Sequence, residues 1–185
     1  MLTIVKDRPV VILLESMDNY TAKDKFSTLL KENQGILFKI CNAYCGKKPD
    51  MEDLAQEMVY QLWKSYGNYN PSYKFTTWMY RIALNTAISF YRREKKKGFT
   101  IPIEEDHIDI QQSKEPENPA EDQISLLRQF IDELKELDKA LMILYLEEKP
   151  YREIADIVGI SETNVATKIN RIKEKLKQKF TSYNL

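Results

Sequence analysis

The sequence predicts an all-α protein built from two small helical domains. Apolar residues recur at helical spacing from Lys23 almost to the C-terminus, whereas segments with strand-like alternation are few. Hydrophobic residues make up 43% of the 185-residue chain, which is enough to form a buried core. The segment 98–120 interrupts the helical pattern with prolines and many charges, and this composition indicates a flexible acidic linker between the domains.

The helical pattern divides into several segments separated by turn signals. Helices are expected over residues 23–45, 50–66, 75–97, 121–134, 138–148, 151–158 and 162–180. The predicted domains comprise residues 21–97 and 121–183. Residues 1–20 are expected to form an N-terminal extension, because Met17 opens a second, polar start. The apolar run before it is too short to span a bilayer, so no membrane insertion is expected.

Two cysteines lie one helical turn apart near the end of the first predicted helix. Cys41 and Cys45 have no further metal ligands nearby in the sequence, and adjacent helical turns rarely suit a disulfide. We therefore expect both to be reduced core residues of a cytoplasmic protein.

The second predicted helix separates into an apolar arc and a polar stripe. Asp50 is placed to cap its N-terminus, and the apolar arc runs from Met51 to Tyr66. The stripe on the other side consists of Asp53, Gln56, Glu57, Tyr60 and Gln61. Such a stripe is either a solvated face or a docking surface for a basic protein.

The third predicted helix carries a tryptophan on its polar side. At about 100° per residue, an apolar arc from Phe75 to Tyr91 is expected to be buried. Trp78 lies instead among the polar residues Lys74, Thr77, Arg81, Asn85, Ser89, Arg92 and Lys96. An indole on a solvated face reduces solubility unless something covers it. Either a neighbouring helix or a planar ligand is expected to cover Trp78.

The C-terminal segment matches the helix-turn-helix pattern. A short helix with Ile154, Ala155 and Val158 inward ends at Gly159, and Ser161 is placed to cap a longer, basic helix. The inward positions of that longer helix are Val165, Ile169, Ile172 and Leu176. Side chains near its start are candidates for DNA contacts: Glu162, Thr163, Asn164, Thr167, Lys168, Asn170 and Arg171. The alternative is a plain helical hairpin.

Charge and residue types limit the function classes. The net charge is zero, but basic clusters at residues 92–97 and 168–179 flank an acidic stretch at 104–122, which suggests two anion-binding faces. The single histidine lies in that acidic stretch, and the five glycines form no phosphate-binding loop. We therefore expect no enzyme activity, cofactor or metal.

Three segments in order resemble a known family. DMEDLAQEMVYQLWKSYGNY is followed by KFTTWMYRIALNTAISFYRREKK, a linker and YREIADIVGISETNVATKINRIKEKL. This order is similar to that of extracytoplasmic-function sigma factors of bacterial RNA polymerase, over residues 23–180. The resemblance implies a transcription initiation factor whose two domains bind core polymerase and promoter DNA. It also implies an anti-sigma factor as a partner, and we expect the free protein to be a monomer.

The resemblance also implies roles for the candidate residues. The polymerase-binding set is Asp53, Gln56, Glu57 and Gln61. The set that binds and opens the minus-ten element is Tyr69, Asn70, Tyr73, Lys74, Trp78, Arg81, Asn85, Arg92 and Lys96. The minus-thirty-five set is Glu162, Thr163, Asn164, Thr167, Lys168, Asn170, Arg171 and Lys173. Ala166 departs from the family, which often has a basic residue there, so the base preference does not carry over.

Two rival functions make different predictions. A stand-alone helix-turn-helix regulator would bind duplex DNA as a dimer on palindromes without touching polymerase. A helical adaptor would bind acidic proteins or RNA through its basic faces, with no promoter preference.

Overall fold

The computed structural model describes residues 20–98 and 119–183. Within these ranges the chain forms seven α-helices and no strand, so the predicted all-α fold is confirmed. The helices are α1 (Tyr20–Tyr44), α2 (Lys48–Tyr66), α3 (Phe75–Gly98), α4 (Pro119–Asp132), α5 (Glu136–Leu146), α6 (Tyr151–Val158) and α7 (Glu162–Tyr183). Residues 1–19 of the predicted N-terminal extension and most of the predicted linker lie outside the described residues, whereas Tyr20 begins α1.

The start of α2 differs from the prediction. The helix begins at Lys48 with Lys47 as the N-cap, and proline occupies the first turn, where its fixed φ suits the helix. The Met51 N–H donates to the Lys47 carbonyl at 3.2 Å, which places Asp50 inside the first turn. The prediction of Asp50 as the N-cap was therefore wrong, although its charge still faces the positive end of the helix dipole.

The described residues fall into two compact units divided between Tyr91 and Arg92, within α3. The sequence-based domain boundaries at residues 97 and 121 stay a prediction. No helix in the described ranges is long and apolar enough to cross a membrane.

The first unit has a core made by the apolar faces of α1, α2 and α3. Phe26, Leu30 and Leu37 of α1 are fully buried, and α1 packs against α2. All members of the predicted α3 arc are buried except Tyr91, which is half-buried. The helical period therefore identified the buried side of α3 correctly.

The two cysteines join the end of α1 to the start of α2. The Cys41 thiol donates to the Met51 carbonyl at 3.6 Å, and the Cys45 thiol donates to the Asp50 carbonyl at 3.5 Å. Neither cysteine forms a disulfide; Cys41 is buried and Cys45 is half-buried. Burial raises the pKa of the Cys41 thiol to about 12, and the nearby Cys45 adds to the increase.

The second unit contains α4 to α7, and α7 packs against each of the other three helices. Gly159 ends α6 in the left-handed conformation with a φ of 78°, as its position in the sequence predicted. The Ser161 hydroxyl accepts the Asn164 N–H at 3.3 Å and so caps α7.

The inward faces of α6 and α7 follow the predicted pattern with one exception. All four predicted inward residues of α7 are buried. In α6, Ile154 and Ala155 are buried as predicted, but Ile157 is buried in place of Val158, which is half-buried. Ile157 and Val158 are adjacent in a helix of eight residues, so a small rotation decides which of the two side chains reaches the core.

Candidate nucleic-acid interface

The polar stripe of α2 lies opposite its buried arc. Asp53 and Gln56 are exposed, whereas Glu57 and Gln61 are half-buried. Gln61 Nε2 donates to Glu57 Oε1 at 2.8 Å, so one carboxylate oxygen of the stripe is already bound within the helix. Tyr60, at the centre of the stripe, exposes 57% of its surface. The stripe therefore combines negative charge with one accessible aromatic ring.

Trp78 of α3 belongs to a cluster of aromatic rings. Its ring centroid lies 5.2 Å from those of Tyr69 and Phe75 and 6.3 Å from that of Tyr66. We call the six rings Phe26, Trp63, Tyr66, Tyr69, Phe75 and Trp78 the aromatic cluster. Trp78 is half-buried in it. Trp78 is thus covered in part by other rings of the protein, which come from the end of α2 and from the segment before α3.

The segment 67–74 connects α2 to α3, and we call it the α2–α3 loop. Tyr69 is half-buried, whereas Asn70 and Tyr73 are exposed, Tyr73 with 68% of its surface. The Tyr69 hydroxyl donates to the Tyr73 carbonyl at 2.8 Å. The Asn70 side chain accepts the Ser72 N–H at 2.9 Å. Two of the three loop residues predicted to hold a base are therefore engaged in shaping the loop.

A basic edge runs along α3 beside Trp78. At about 100° per residue, its side chains lie within about 60° of Trp78 around the helix axis. All five are exposed: Lys74, Arg81, Asn85, Arg92 and Lys96. The indole of Trp78 is thus half-exposed on the same side as four cations and one amide.

The start of α7 presents polar side chains to solvent. All of the predicted minus-thirty-five residues are exposed except Lys168, which is half-buried. Thr167 Oγ1 donates to the Thr163 carbonyl at 2.9 Å, and the Thr163 hydroxyl lies 3.1 Å from that of Ser161. The side chain of Arg171 makes no ion pair or hydrogen bond with a described residue, so its guanidinium is available for a ligand.

Lys173 of α7 contacts Tyr145, a residue that no sequence pattern marks as part of a site. Its Nζ lies 3.4 Å from the Tyr145 hydroxyl and 5.3 Å from the centroid of the Tyr145 ring. Lys173 is about 160° from Arg171 around α7. It therefore lies on the flank beside α5, whereas Arg171 lies on the outer face. The contact joins residues 28 positions apart, and no local pattern indicates it.

Comparisons with known proteins agree with this geometry. Residues 29–97 match the family model of sigma-70 region 2, and residues 124–176 match that of sigma-70 region 4. RNA polymerase sigma factor YlaC of Bacillus subtilis is 30% identical over 133 residues, covering 70% of this chain and 77% of the relative. The ECF RNA polymerase sigma factor SigW of the same organism is 26% identical, covering 84% of this chain and 89% of the relative.

A solved structure shows the same fold. The sigma factor RpoE, in complex with the anti-sigma factor NepR from Bartonella quintana, matches with a TM-score of 0.56 and 17% identity. The match covers 84% of this chain and 94% of that one.

A region 2 unit followed by a region 4 helix-turn-helix defines the class of protein, a sigma factor that binds core RNA polymerase and promoter DNA. Within that class, this chain belongs to the extracytoplasmic-function (ECF) family. The resemblance drawn from the sequence is thereby confirmed, and the protein is an alternative transcription initiation factor. The rival interpretations, a stand-alone regulator and an adaptor, do not account for region 2.

Proposed function

We propose that three surfaces of this sigma factor bind three different parts of the transcription complex. The stripe on α2 docks on core polymerase, the α2–α3 loop with the basic edge of α3 binds and opens the minus-ten element, and α7 binds the minus-thirty-five element. Residues 98–120 link the two DNA-binding parts. The protein acts in the cytoplasm without catalysing a reaction itself, and a cognate anti-sigma factor holds it inactive.

Docking through α2 is supported by the chemistry of its stripe. Asp53 and Glu57 supply negative charge, and Gln56 supplies an amide at an exposed position. Complementary charge directs a partner to a surface and fixes its orientation more than it adds affinity. A basic surface on polymerase is the matching partner, while Tyr60 adds the aromatic area typical of interface centres.

Opening of the minus-ten element is supported by one observation above the others, the half-exposed Trp78 on the basic edge of α3. Arg81, Asn85 and Arg92 suit phosphates, but charge alone gives no preference for separated strands. An aromatic ring gives that preference, because a base that has lost its neighbour regains stacking on the ring, worth about 1–3 kcal/mol per base.

Binding by α7 is supported by the free guanidinium of Arg171 and by the exposed amides of Asn164 and Asn170. Arginine and asparagine side chains suit guanine and adenine edges in the major groove. Lys168 and Lys173, on the flanks of the helix, suit the phosphates of the groove walls.

The experiment begins with a reconstituted holoenzyme. We expect core polymerase with this protein to start transcription at defined sites within a library of random DNA, and core polymerase alone to give no such starts. Absence of defined start sites would contradict the proposed function.

The Trp78→Ala variant then tests strand opening on a promoter recovered from that selection. We expect nearly unchanged closed-complex binding and an open fraction about tenfold lower, as loss of one stacking contact predicts. Permanganate footprinting of unpaired thymines measures the open fraction, and a pre-melted bubble should restore most of it. Because Trp78 contacts three rings, thermal unfolding is measured alongside. Equal loss of closed and open complexes would assign Trp78 to the core instead.

A further inference from the structure

The α2–α3 loop contains two exposed or half-exposed tyrosines that occupy different environments. Tyr69 packs among three rings of the aromatic cluster: it is stacked on Tyr66 at 6.2 Å, meets Phe75 edge-on at 5.5 Å and is tilted against Trp78 at 5.2 Å. Tyr73 lies four residues further on and exposes 68% of its surface. An unpaired base therefore stacks on the ring of Tyr73 without displacing another ring. A base that stacked on Tyr69 would displace a ring of the aromatic cluster.

Hydrogen bonds of the loop fix the backbone that carries Tyr73. The Tyr69 hydroxyl donates to the Tyr73 carbonyl at 2.8 Å, and the Tyr73 N–H donates to the Asn70 carbonyl at 3.1 Å. The Asn70 side chain accepts the Ser72 N–H at 2.9 Å. Tyr73 is thus held at both its N–H and its carbonyl while its side chain stays in solvent.

The rings that hold Tyr69 in place include side chains of α2. Tyr66 is nearly parallel to both Trp63 and Tyr69, with interplanar angles of 13° and 16°. Trp63 and Tyr66 are one helical turn apart in α2, so this row of rings is attached to a packed helix. The position of the Tyr69 hydroxyl, and through it the Tyr73 carbonyl, follows from the packing of that row.

We propose that Tyr69 is a positioning residue and that Tyr73 is the residue that meets an extruded base of the minus-ten element. This inference rests on the proposed function of the loop and changes the roles within it. Tyr69 contributes its hydroxyl to the loop backbone and does not touch the base. Tyr73 stacks on the unpaired base, and the fixed backbone limits which bases and orientations the loop accepts, because preorganisation lowers the cost of binding.

The test compares two conservative variants of the aromatic cluster. Tyr69→Phe removes the hydroxyl and retains the ring. Tyr66→Phe is the matched control. It also removes a hydroxyl from the row of rings, but the Tyr66 hydroxyl makes no hydrogen bond with a described residue. Each holoenzyme is titrated with a fork-junction DNA that carries the selected minus-ten sequence on its single strand, and with forks bearing one changed base.

We expect Tyr69→Phe to weaken binding to the selected fork about fivefold, as loss of one intramolecular hydrogen bond predicts. Its preference over the changed forks should fall, while duplex binding stays close to that of wild type. Tyr66→Phe should match wild type in every measurement. A purely structural role for Tyr69 would lower the thermal midpoint and leave base preference unchanged, which would overturn the proposal.

A double-mutant cycle tests the division of roles. If Tyr69 acts through Tyr73, then Tyr73→Ala should lose at least as much preference, and the double variant should lose no more than Tyr73→Ala alone. Additive losses would contradict the proposal, because each tyrosine would then contact DNA independently.

Two outcomes separate this inference from the proposed function. If wild-type holoenzyme binds the fork no better than duplex, the proposed function of the loop fails. If wild-type holoenzyme prefers the fork but Tyr69→Phe behaves like Tyr66→Phe, this inference alone fails.

Discussion

At the scale of single residues, burial changes the chemistry of Cys41. Only 3% of this residue is exposed, and its thiol donates to the carbonyl of Met51. A thiolate there would lose both hydration and this hydrogen bond, so the folded state favours the protonated form. The pKa rises from 9.0 to about 12 for this reason.

The raised pKa predicts a loss of stability at high pH. Because the folded state holds the proton more tightly, the stabilising contribution is complete below pH 9 and is lost as pH rises from 9 towards 12. We expect the free energy of unfolding of wild type to fall more steeply above pH 9 than that of Cys41→Ala, by up to about 1.4 kcal/mol per pH unit. Urea denaturation between pH 7.5 and 10.5 measures both slopes. Parallel curves would show that Cys41 does not control this range.

At the scale of the secondary-structure elements, α2 places its core residues and its proposed polymerase-binding residues on different sides. Its apolar arc is buried from Leu54 to Leu62 and half-buried at its ends, and Asp53 and Glu57 lie on the other side. Changes on the polar side therefore leave the core contacts intact.

Charge reversal tests the stripe of α2 directly. The double variant Asp53→Lys, Glu57→Lys should bind core polymerase at least about tenfold more weakly, because it opposes a basic partner with like charge. Circular dichroism should show unchanged helix content. Glu32→Lys, on the exposed surface of α1, is the control and should bind normally. Normal binding by the double variant would remove the stripe from the interface.

Helix α7 has an outer face and a flank beside α5, and the proposed DNA contacts predict different effects for substitutions on each. Lys173 lies on the flank beside Tyr145, so it suits a phosphate rather than a base. Lys173→Met should weaken binding to all duplex sequences about equally and reduce the slope of log affinity against log salt by about one. Lys135→Met, at the exposed N-cap of α5 and outside the basic cluster 168–179, is the control. A changed base preference in Lys173→Met would place this residue on the outer face.

At the scale of the whole molecule, the acidic stretch between the two DNA-binding parts offers a separate test. Between Glu104 and Asp122 it has eight carboxylates and one lysine, Lys114. The last two of these carboxylates belong to α4, and the other six lie outside the described residues. By its resemblance to family linkers, we expect this stretch to pass through the polymerase cleft towards nascent RNA, where negative charge imitates the transcript.

Neutralising those six carboxylates to amides should therefore change early RNA synthesis more than promoter binding. The ratio of abortive to full-length transcripts measures the first effect, and binding of holoenzyme to promoter DNA measures the second. Equal losses in both assays would indicate a folding defect and contradict a role in the RNA path.

The sequence by itself determined the seven helices and most of their buried faces, because both depend on local spacing. Gly159 and Ser161 marked the turn before α7 through conformational and capping preferences that also act within a few residues. Family motifs, read from the same local segments, predicted which faces meet polymerase and DNA, and those assignments stay predictions.

Only the tertiary structure decided which candidate side chains already contact other side chains of the protein. Phe26 reaches Trp63 across 37 positions of the sequence, with ring centroids 5.2 Å apart, and the loop then brings Tyr69 onto Trp78. Lys173 meets Tyr145 in the same way. Spacing along one helix places a side chain on a face but does not indicate which ring from another element covers it. That choice depends on packing between different elements, and it separates Tyr69, which packs among three rings, from Tyr73, which is exposed to solvent.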